Sequence, residues 1–349
     1  MIYYIALIIL ILVLHKKATN ISTIIYRNLV ETKYSYVIWF VIILMAALRS
    51  PMVGADTPAY ISDYIDMSNA DFAWIRDRYE GYLGYYYTSK VFSMIGASVQ
   101  VWFGFVEALY ACALFLFIKR FSKDKIFSIL IFVTVGLFSF SLAGLKQVMS
   151  MSFMIFAFLS FLDKRYFWSI LMAFVGFQCH SAGLIFLGVI PLYIIRGRKY
   201  FISIVVISAI AMVVYSEMFL SIMVDQLGNE HYEAYLERDE SYTSVKLIFY
   251  IILITLTYLG YKRYYQADAN NAKYVFGLSV IVCAFQALSS VSPNMFRLAI
   301  CYAPFLMVLI PNTCYYYKNR GVTFSIISIT IFFFLYVSRN TPYSFFWEF

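Results

Sequence analysis

The 349-residue sequence is short of charge, because only 13% of its residues are Asp, Glu, Lys or Arg. Soluble domains carry about 25% charged residues, so this shortage excludes a soluble globular enzyme, a disordered protein and an ordinary nucleic-acid-binding protein. Apolar residues make up 62% of the chain, and the mean hydropathy is +0.76. The composition therefore indicates a helical protein that crosses a membrane several times.

The sequence also lacks the common motifs of cofactor and metal sites. Its five cysteines are scattered and none forms a Cys-x-x-Cys pair, which argues against structural disulfides and zinc. The absence of a Walker A motif and of GxGxxG leaves no support for ATP-driven transport or dinucleotide chemistry. We therefore expect no cofactor and no metal. No repeat or linker divides the chain, which predicts one membrane domain over residues 1–349.

Long apolar runs dominate what is present. A transmembrane helix needs about 20 apolar residues, and these runs do not alternate as the strands of a membrane barrel do. We predict an all-α, polytopic membrane protein with about twelve transmembrane helices, within a range of ten to thirteen. The predicted runs are residues 2–14, 34–48, 99–118, 126–143, 147–162, 166–178, 181–195, 201–222, 246–261, 274–290, 297–311 and 322–337.

The distribution of charge sets the orientation of these helices. If the chain begins outside, its short cytoplasmic segments hold 18 of the 27 basic residues and only four of the 19 acidic ones. By the positive-inside rule, this segregation predicts that both ends of the chain lie outside. The first run is expected to be a retained helix rather than a signal peptide, because its basic residues, Lys16 and Lys17, follow the apolar stretch.

Three regions depart from a simple bundle. We predict two longer outer loops, at about residues 49–98 and 223–245, which either serve a function or are solvated lids. Within the first, residues 81–96 are expected to form an interfacial or re-entrant helix with Tyr85, Tyr86 and Tyr87 at headgroup level. Residues 166–195 must cross outward and return, yet two full crossings need about 40 residues. Either the tip at 178–181 lies below the outer surface, or the hairpin is tilted and His180 caps a helix.

Three basic residues on the outer side break the topological rule. Arg49, Lys146 and Arg297 should lie at similar depth near the outer mouth, where charges are functional candidates by default. Arginine donates paired hydrogen bonds to phosphate and lysine adds a point charge, so the three cations are predicted to bind a diphosphate. Each alone could instead snorkel to the lipid headgroups.

The same layer offers acids and a base. Asp56 and Glu80 are candidate acids, and His180 titrates near neutral pH and could accept a hydroxyl proton. Glu107 lies within an apolar run and is expected to make a buried structural contact. His15 and His231 are expected to have no catalytic role.

The candidate residues lie in several short motifs. They are Arg49-Ser50-Pro51, Gly54-Ala55-Asp56-Thr57, Tyr60, Glu80-Gly81-Tyr82, Lys146-Gln147, Cys179-His180-Ser181-Ala182 and Met295-Phe296-Arg297. Together these motifs resemble the EpsG-like family of polysaccharide polymerases, whose opening block reads as Arg, then Gly-x-Asp, then Tyr, followed by a Glu-Pro/Gly-aromatic element. The family usually has Arg-Gln where this chain has Lys146 and Gln147, and a lysine cannot donate the paired hydrogen bonds of an arginine.

The resemblance implies a Wzy-type O-antigen or exopolysaccharide polymerase with a GT-C-like membrane glycosyltransferase architecture, in the bacterial inner membrane with its active site facing the periplasm. Such an enzyme transfers a glycan from undecaprenyl diphosphate to a lipid-linked repeat unit, without metal, and a chain-length regulator is a further expected partner. Arg49, Lys146 and Arg297 would then hold the diphosphate. His180 or Asp56 would deprotonate the acceptor, and Glu80, Tyr60 and Gln147 would bind sugar.

Two other functions stay open. A polyprenyl-phosphate-dependent glycosyltransferase would use a carboxylate of the first outer loop, such as Asp56 or Glu80, and often a metal. A lipid-linked oligosaccharide flippase or other transporter would be expected to show internal repeats and charges near the membrane midplane. The candidate charges of this chain instead cluster near the predicted outer mouth.

Overall fold

The computed structural model describes residues 1–79, 82–218, 242–290 and 295–348. These residues are almost entirely helical, and among them the one β-type contact is an antiparallel bridge between Arg49 and Phe345. The all-α class is therefore confirmed. The helices are α1 (Ile2–Thr19), α2 (Ile24–Ala47), α3 (Thr57–Asn69), α4 (Phe72–Arg78), α5 (Leu83–Met94), α6 (Val99–Phe121), α7 (Lys125–Thr134), α8 (Leu137–Ala143), α9 (Leu145–Leu162), α10 (Tyr166–Cys179), α11 (Val189–Ile195), α12 (Phe201–Val214), α13 (Tyr242–Ala267), α14 (Ala269–Leu288), α15 (Phe296–Tyr302), α16 (Leu306–Tyr317) and α17 (Arg320–Ser338).

Eight helical segments in the described ranges are long and apolar enough to cross a membrane, which fits a multi-pass membrane protein. A ninth candidate is the pair α7 and α8, which is bent by 58° at the break after Thr134. Three shorter apolar segments, at 166–179, 181–195 and 201–214, coincide with further predicted runs. Every predicted run is thus largely helical in the residues that the structure describes, while the number of crossings and the GT-C-like architecture stay predictions.

The described chain forms two compact units. The first comprises Met1–Leu187 together with Ile329–Phe349, and its centre is made by α6 and α9. Both central helices are two-thirds buried, and α2 and α10 pack against α6 and α9 respectively. Apolar residues surround α6 and α9 on most sides, which explains why the sequences of these two helices are apolar on every helix face.

The second unit comprises Gly188–Ser328. Its core is the segment Phe296–Tyr317, in which 94% of an 18-residue stretch is buried, and α13 and α14 pack against each other and against α16. The hydroxyl of Tyr274 in α14 donates to the carbonyl of Val189 at 2.9 Å, which ties α11 to this core. The single domain expected from the sequence stays a prediction.

The segment predicted as the first outer loop is largely helical. It contains α3, α4 and α5, each too short to span a bilayer of roughly 30 Å at 1.5 Å per residue. Helix α5 covers the expected helix at 81–96. The second predicted loop, at 223–245, lies mostly outside the described residues.

Candidate functional site

One face of α3 carries three polar side chains at helical spacing. Asp56 precedes the first residue of the helix, and Tyr60 and Asp63 follow four and seven positions later. Residues at this spacing lie on the same side of a helix. Lys146, the second residue of α9, lies opposite this face: its Nζ is 3.5 Å from Oδ2 of Asp63 and 5.7 Å from the centre of the Tyr60 ring, and its charge also interacts with Asp56.

A tight turn before α3 sets this arrangement. Gly54 has φ +89°, and a Cβ there would lie 2.3 Å from the carbonyl oxygen of Leu142, so only glycine fits. The hydroxyl of Thr57 lies 3.2 Å from the same carbonyl and donates to that of Val53 at 2.6 Å. The turn is thereby held against the residues that lead into α9. The motif that contains Gly54, Asp56 and Thr57 therefore lies beside the start of α9, where Lys146 is located.

Four tyrosine rings surround the ammonium group of Lys146. Their centres lie within 6 Å of Nζ, the range of a cation–π interaction. Two of the rings, Tyr85 and Tyr86, had been expected at headgroup level, but both side chains are buried inside the first unit. The rings and their distances to Nζ are Tyr86 at 4.5 Å, Tyr85 at 5.6 Å, Tyr60 at 5.7 Å and Tyr82 at 5.8 Å.

A chain of hydrogen bonds runs through this cage. Lys146 donates to the hydroxyl of Tyr86, and that hydroxyl donates to Oδ2 of Asp63 at 3.2 Å. Burial and the neighbouring Asp63 carboxylate raise the pKa of Tyr86, so the phenol keeps its proton at neutral pH. The Tyr86 ring also stacks on Tyr79, with ring centres 3.7 Å apart.

His180 lies at the edge of the same cluster. It is the C-cap residue of α10, directly after Cys179, and its ring stacks on that of Tyr82 with ring centres 5.1 Å apart. The backbone N–H of Ala182 donates to Nδ1 at 3.1 Å, while Ser150 of α9 donates to the His180 carbonyl at 2.9 Å. Because Nδ1 accepts a hydrogen bond, the neutral ring carries its proton on Nε2. The ring is therefore arranged to donate from Nε2.

Arg49 is enclosed within the first unit. Only 3% of the residue is exposed, and its guanidinium lies 4.0 Å from the centre of the Phe103 ring. Nη1 donates to the carbonyl of Ala46 at 2.6 Å, and Nε donates to Thr57 Oγ1 at 3.4 Å. Burial lowers the pKa of Arg49 to about 10, an effect opposed by the carboxylate of buried Glu107, so the guanidinium stays charged at neutral pH. Its contacts hold the start of α3.

The other predicted site residues are dispersed. Gln147 is completely buried in α9. Arg297 lies in the second unit, where its guanidinium is 5.9 Å from the Phe296 ring. Glu80 lies outside the described residues. The first unit therefore brings together Asp56, Tyr60, Lys146 and His180, while the convergence of the three predicted cations stays a prediction.

The structure adds two residues that the sequence did not single out. Asp63 contacts both Lys146 and Tyr86. In the sequence, its spacing of seven residues from Asp56 could have identified it as a member of the same helix face. Lys246, near the start of α13, lies 5.8 Å from the Phe296 ring, so it and Arg297 approach the same ring. No sequence motif beside Lys246 identifies it as a site residue.

The helices and this cluster define a multi-pass membrane protein with a polar, tyrosine-lined site. A model of the EpsG family matches residues 32–348, nearly the whole sequence. The chain therefore belongs to the EpsG family, whose members are generally glycosyltransferase-like polysaccharide polymerases, and the resemblance of its motifs is confirmed. No curated protein and no solved structure matches the chain.

Proposed function

We propose that the chain is a surface-polysaccharide polymerase of the bacterial inner membrane. It transfers a glycan from undecaprenyl diphosphate to a lipid-linked repeat unit on the periplasmic side. The observation that carries this proposal is the half-buried cluster on the α3 face, where tyrosine rings, two carboxylates and a lysine meet. Aromatic faces with a few well-placed polar groups are typical of sites that bind polar small molecules such as sugars.

The proposed reaction is a single displacement at the anomeric carbon of the donor sugar. The acceptor hydroxyl oxygen forms a bond to that carbon, and the bond from the carbon to the diphosphate oxygen breaks, leaving its electron pair on the diphosphate. The hydroxyl proton passes to a base of the protein. No nucleotide is consumed, because the diphosphate linkage supplies the driving force.

Asp56 is the base in this proposal. The sequence left Asp56 and His180 as alternatives, and the hydrogen bond from Ala182 to Nδ1 favours His180 as a donor. Its Nε2–H then stabilises a substrate oxygen that gains negative charge. The charge of Asp56 interacts with that of Lys146, which connects the proposed base to the cluster on the α3 face.

Within the second unit, we propose Arg297 and Lys246 as a pair of phosphate-binding cations. Both are half-buried and approach one aromatic ring in the second unit. Arg49 is enclosed by Ala46, Thr57 and Phe103, so we assign it a positioning role at the start of α3. Tyr60 contributes a ring face to the sugar site.

The test replaces Asp56 in cells that make the native polysaccharide. D56N should abolish long chains while single repeat units still reach the surface, because the acceptor loses its base. D66N is the matched control, since Asp66 lies on α3 but is exposed. The measurement is the chain-length ladder of the surface polymer on a gel.

Other results would assign a different function. Loss of all repeat units from the surface would identify a flippase. Normal polymer length with a missing side-chain sugar, and transfer that is sensitive to EDTA in vitro, would identify a polyprenyl-phosphate-dependent glycosyltransferase. Normal ladders in D56N would show that Asp56 is not the base.

A further inference from the structure

We propose, building on the polymerase function, that Asp63 and Lys146, positioned by the buried hydroxyl of Tyr86, bind the hydroxyl groups of a sugar ring, and that Lys146 is a sugar-site residue rather than a diphosphate ligand. The observation behind this assignment is the closed chain of contacts from the Lys146 ammonium through the Tyr86 hydroxyl to the Asp63 carboxylate.

Charge is the first argument for a sugar. Two carboxylates, Asp56 and Asp63, interact with the single ammonium of Lys146, so this face of α3 carries a net negative charge. Lys146 also lies in the first turn of α9, where the helix dipole disfavours a cation, and Asp63 compensates for this. A diphosphate placed here would meet two like charges within a partly desolvated site. A neutral sugar meets no such repulsion.

Accessibility is the second argument. The side chains of Lys146 and Asp63 are 20% and 23% exposed, so a ligand can reach both, in contrast to Arg49. Together they offer ammonium donors and carboxylate acceptors, which match the two hydrogen-bonding directions of a hydroxyl group.

The aromatic rings provide the third argument. Tyr60 and Tyr82 flank the lysine, and the stacked pair of Tyr79 and Tyr86 adjoins Asp63. The negative face of an aromatic ring attracts the polarised C–H groups on one side of a sugar. The partly exposed ring of Tyr82 beside the pair of Lys146 and Asp63 therefore forms an aromatic wall of a sugar subsite, with Asp63 accepting from the ligand.

The test measures binding of two lipids to the purified protein in nanodiscs. One probe is geranylgeranyl diphosphate, and the other is the lipid-linked glycan extracted from cells that lack this protein. D63N should weaken binding of the glycan lipid by about tenfold or more, the value of a lost hydrogen bond to a charged group, and leave binding of geranylgeranyl diphosphate unchanged. D66N should alter neither.

A second variant protects this test against misfolding. Y86F removes one hydroxyl without changing charge, and it should weaken binding of the glycan lipid a few-fold while the melting temperature is retained. D63E, which keeps the carboxylate, should restore part of the affinity lost in D63N.

Three outcomes would overturn the sugar site. One is unchanged glycan binding in both D63N and Y86F, and another is a wild-type protein that binds the two lipids equally. The third is tighter binding of geranylgeranyl diphosphate in D63N, together with loss of that binding in K146M, because Lys146 would then be a phosphate ligand. Failure of the polymerase function itself would be recognised separately, as normal polymer length in cells from which the protein is deleted.

Discussion

The tautomer of His180 defines what its side chain can do. Because Ala182 donates to Nδ1, protonating the ring on that nitrogen would break a backbone hydrogen bond at the start of the 3₁₀ segment Ser181–Gly188. Donation from Nε2 costs no such contact. The same ring thus caps a turn and presents a donor, so the two interpretations of His180 drawn from the sequence are compatible.

Two amide substitutions separate these roles. The side-chain oxygen of H180N can take the place of Nδ1 and keep the contact to Ala182, whereas the amide of H180Q reaches the position of Nε2 and can donate there. H180N should therefore reduce the rate of polymerisation by about 100-fold, the value of one lost electrostatic donor, while H180Q stays within about tenfold of wild type.

The measurement is the transfer rate with lipid-linked substrates, checked against the chain-length ladder in cells. A fully active H180N protein alongside an inactive H180Q protein would show that His180 only caps the turn.

The sequence located part of the site because local spacing carries that information. Asp56 and Tyr60 share one helix with Asp63, and a stricter count of helical spacing would have included Asp63. The enclosure of Arg49 was not predictable, because it depends on Phe103 and on the bridge to Phe345, about 300 residues away. The tyrosine cage likewise requires knowing that α5 and α9 pack near α3.

At the level of helices, an ion pair fastens α1 to the start of α7. His15, for which no catalytic role was expected, places Nε2 2.7 Å from Oδ2 of Asp124, and Asp124 also caps α7 by accepting the N–H of Phe127 at 2.9 Å. Burial would raise the pKa of Asp124, but the contacts with His15 and Arg27 outweigh it and the pKa is lowered. The carboxylate therefore contributes stability when it is ionised.

This contribution should depend on pH. A carboxyl group with a lowered pKa stabilises the fold above its unfolded pKa of about 3.9, and the stabilisation is lost as the pH falls through the folded value. D124N should destabilise the protein by about 2 kcal/mol at pH 7, because asparagine keeps the cap but not the charge. The difference from wild type should shrink below about pH 4.

Thermal unfolding in detergent at several pH values measures this effect. D268N is the matched control, because Asp268 caps α14 through Asn271 in the same way and forms no ion pair with any residue that the structure describes. Equal losses in the two variants at pH 7 would assign the effect to the loss of a negative charge at a helix N-terminus rather than to the ion pair with His15.

The positions of the apolar helices were predictable and their number of crossings was not. Over its described residues each apolar run is largely helical, since a buried or lipid-facing backbone must satisfy its own hydrogen bonds. Helix α10 has 14 residues and reaches about 21 Å, short of a bilayer core of roughly 30 Å. Hydropathy alone does not show whether such a segment crosses the membrane, because its length matches neither a full span nor a surface loop.

For the whole molecule, contacts near the two ends of the chain constrain the topology. Tyr3 in α1 donates to Glu348, and its ring lies 5.7 Å from that of Tyr343. Residues 3 and 343–348 thus lie close together, which supports the prediction that both ends of the chain lie on one side of the membrane. An even number of crossings is expected on that topology, and the number itself stays a prediction.

Tags placed at three positions test this topology. Tags fused to the two ends of the chain should both react with a membrane-impermeant reagent in intact spheroplasts, and a tag inserted at residues 163–165 should react only after lysis. Reaction of the internal tag in intact spheroplasts would reverse the predicted orientation. Opposite behaviour of the two end tags would contradict the contact between Tyr3 and Glu348.

The bridge between Arg49 and Phe345 also orders events in time. At a synthesis rate of about 5–20 residues per second, the segment that covers Arg49 emerges roughly 15–60 s after it. During that interval α1 and α2 are inserted while the guanidinium lacks its final cover, and the carbonyl of Ser344 has not yet met the N–H of Ser50. The backbone contacts of Arg49 and Ser50, which precede the turn that positions Asp56, are therefore completed among the last steps of biogenesis.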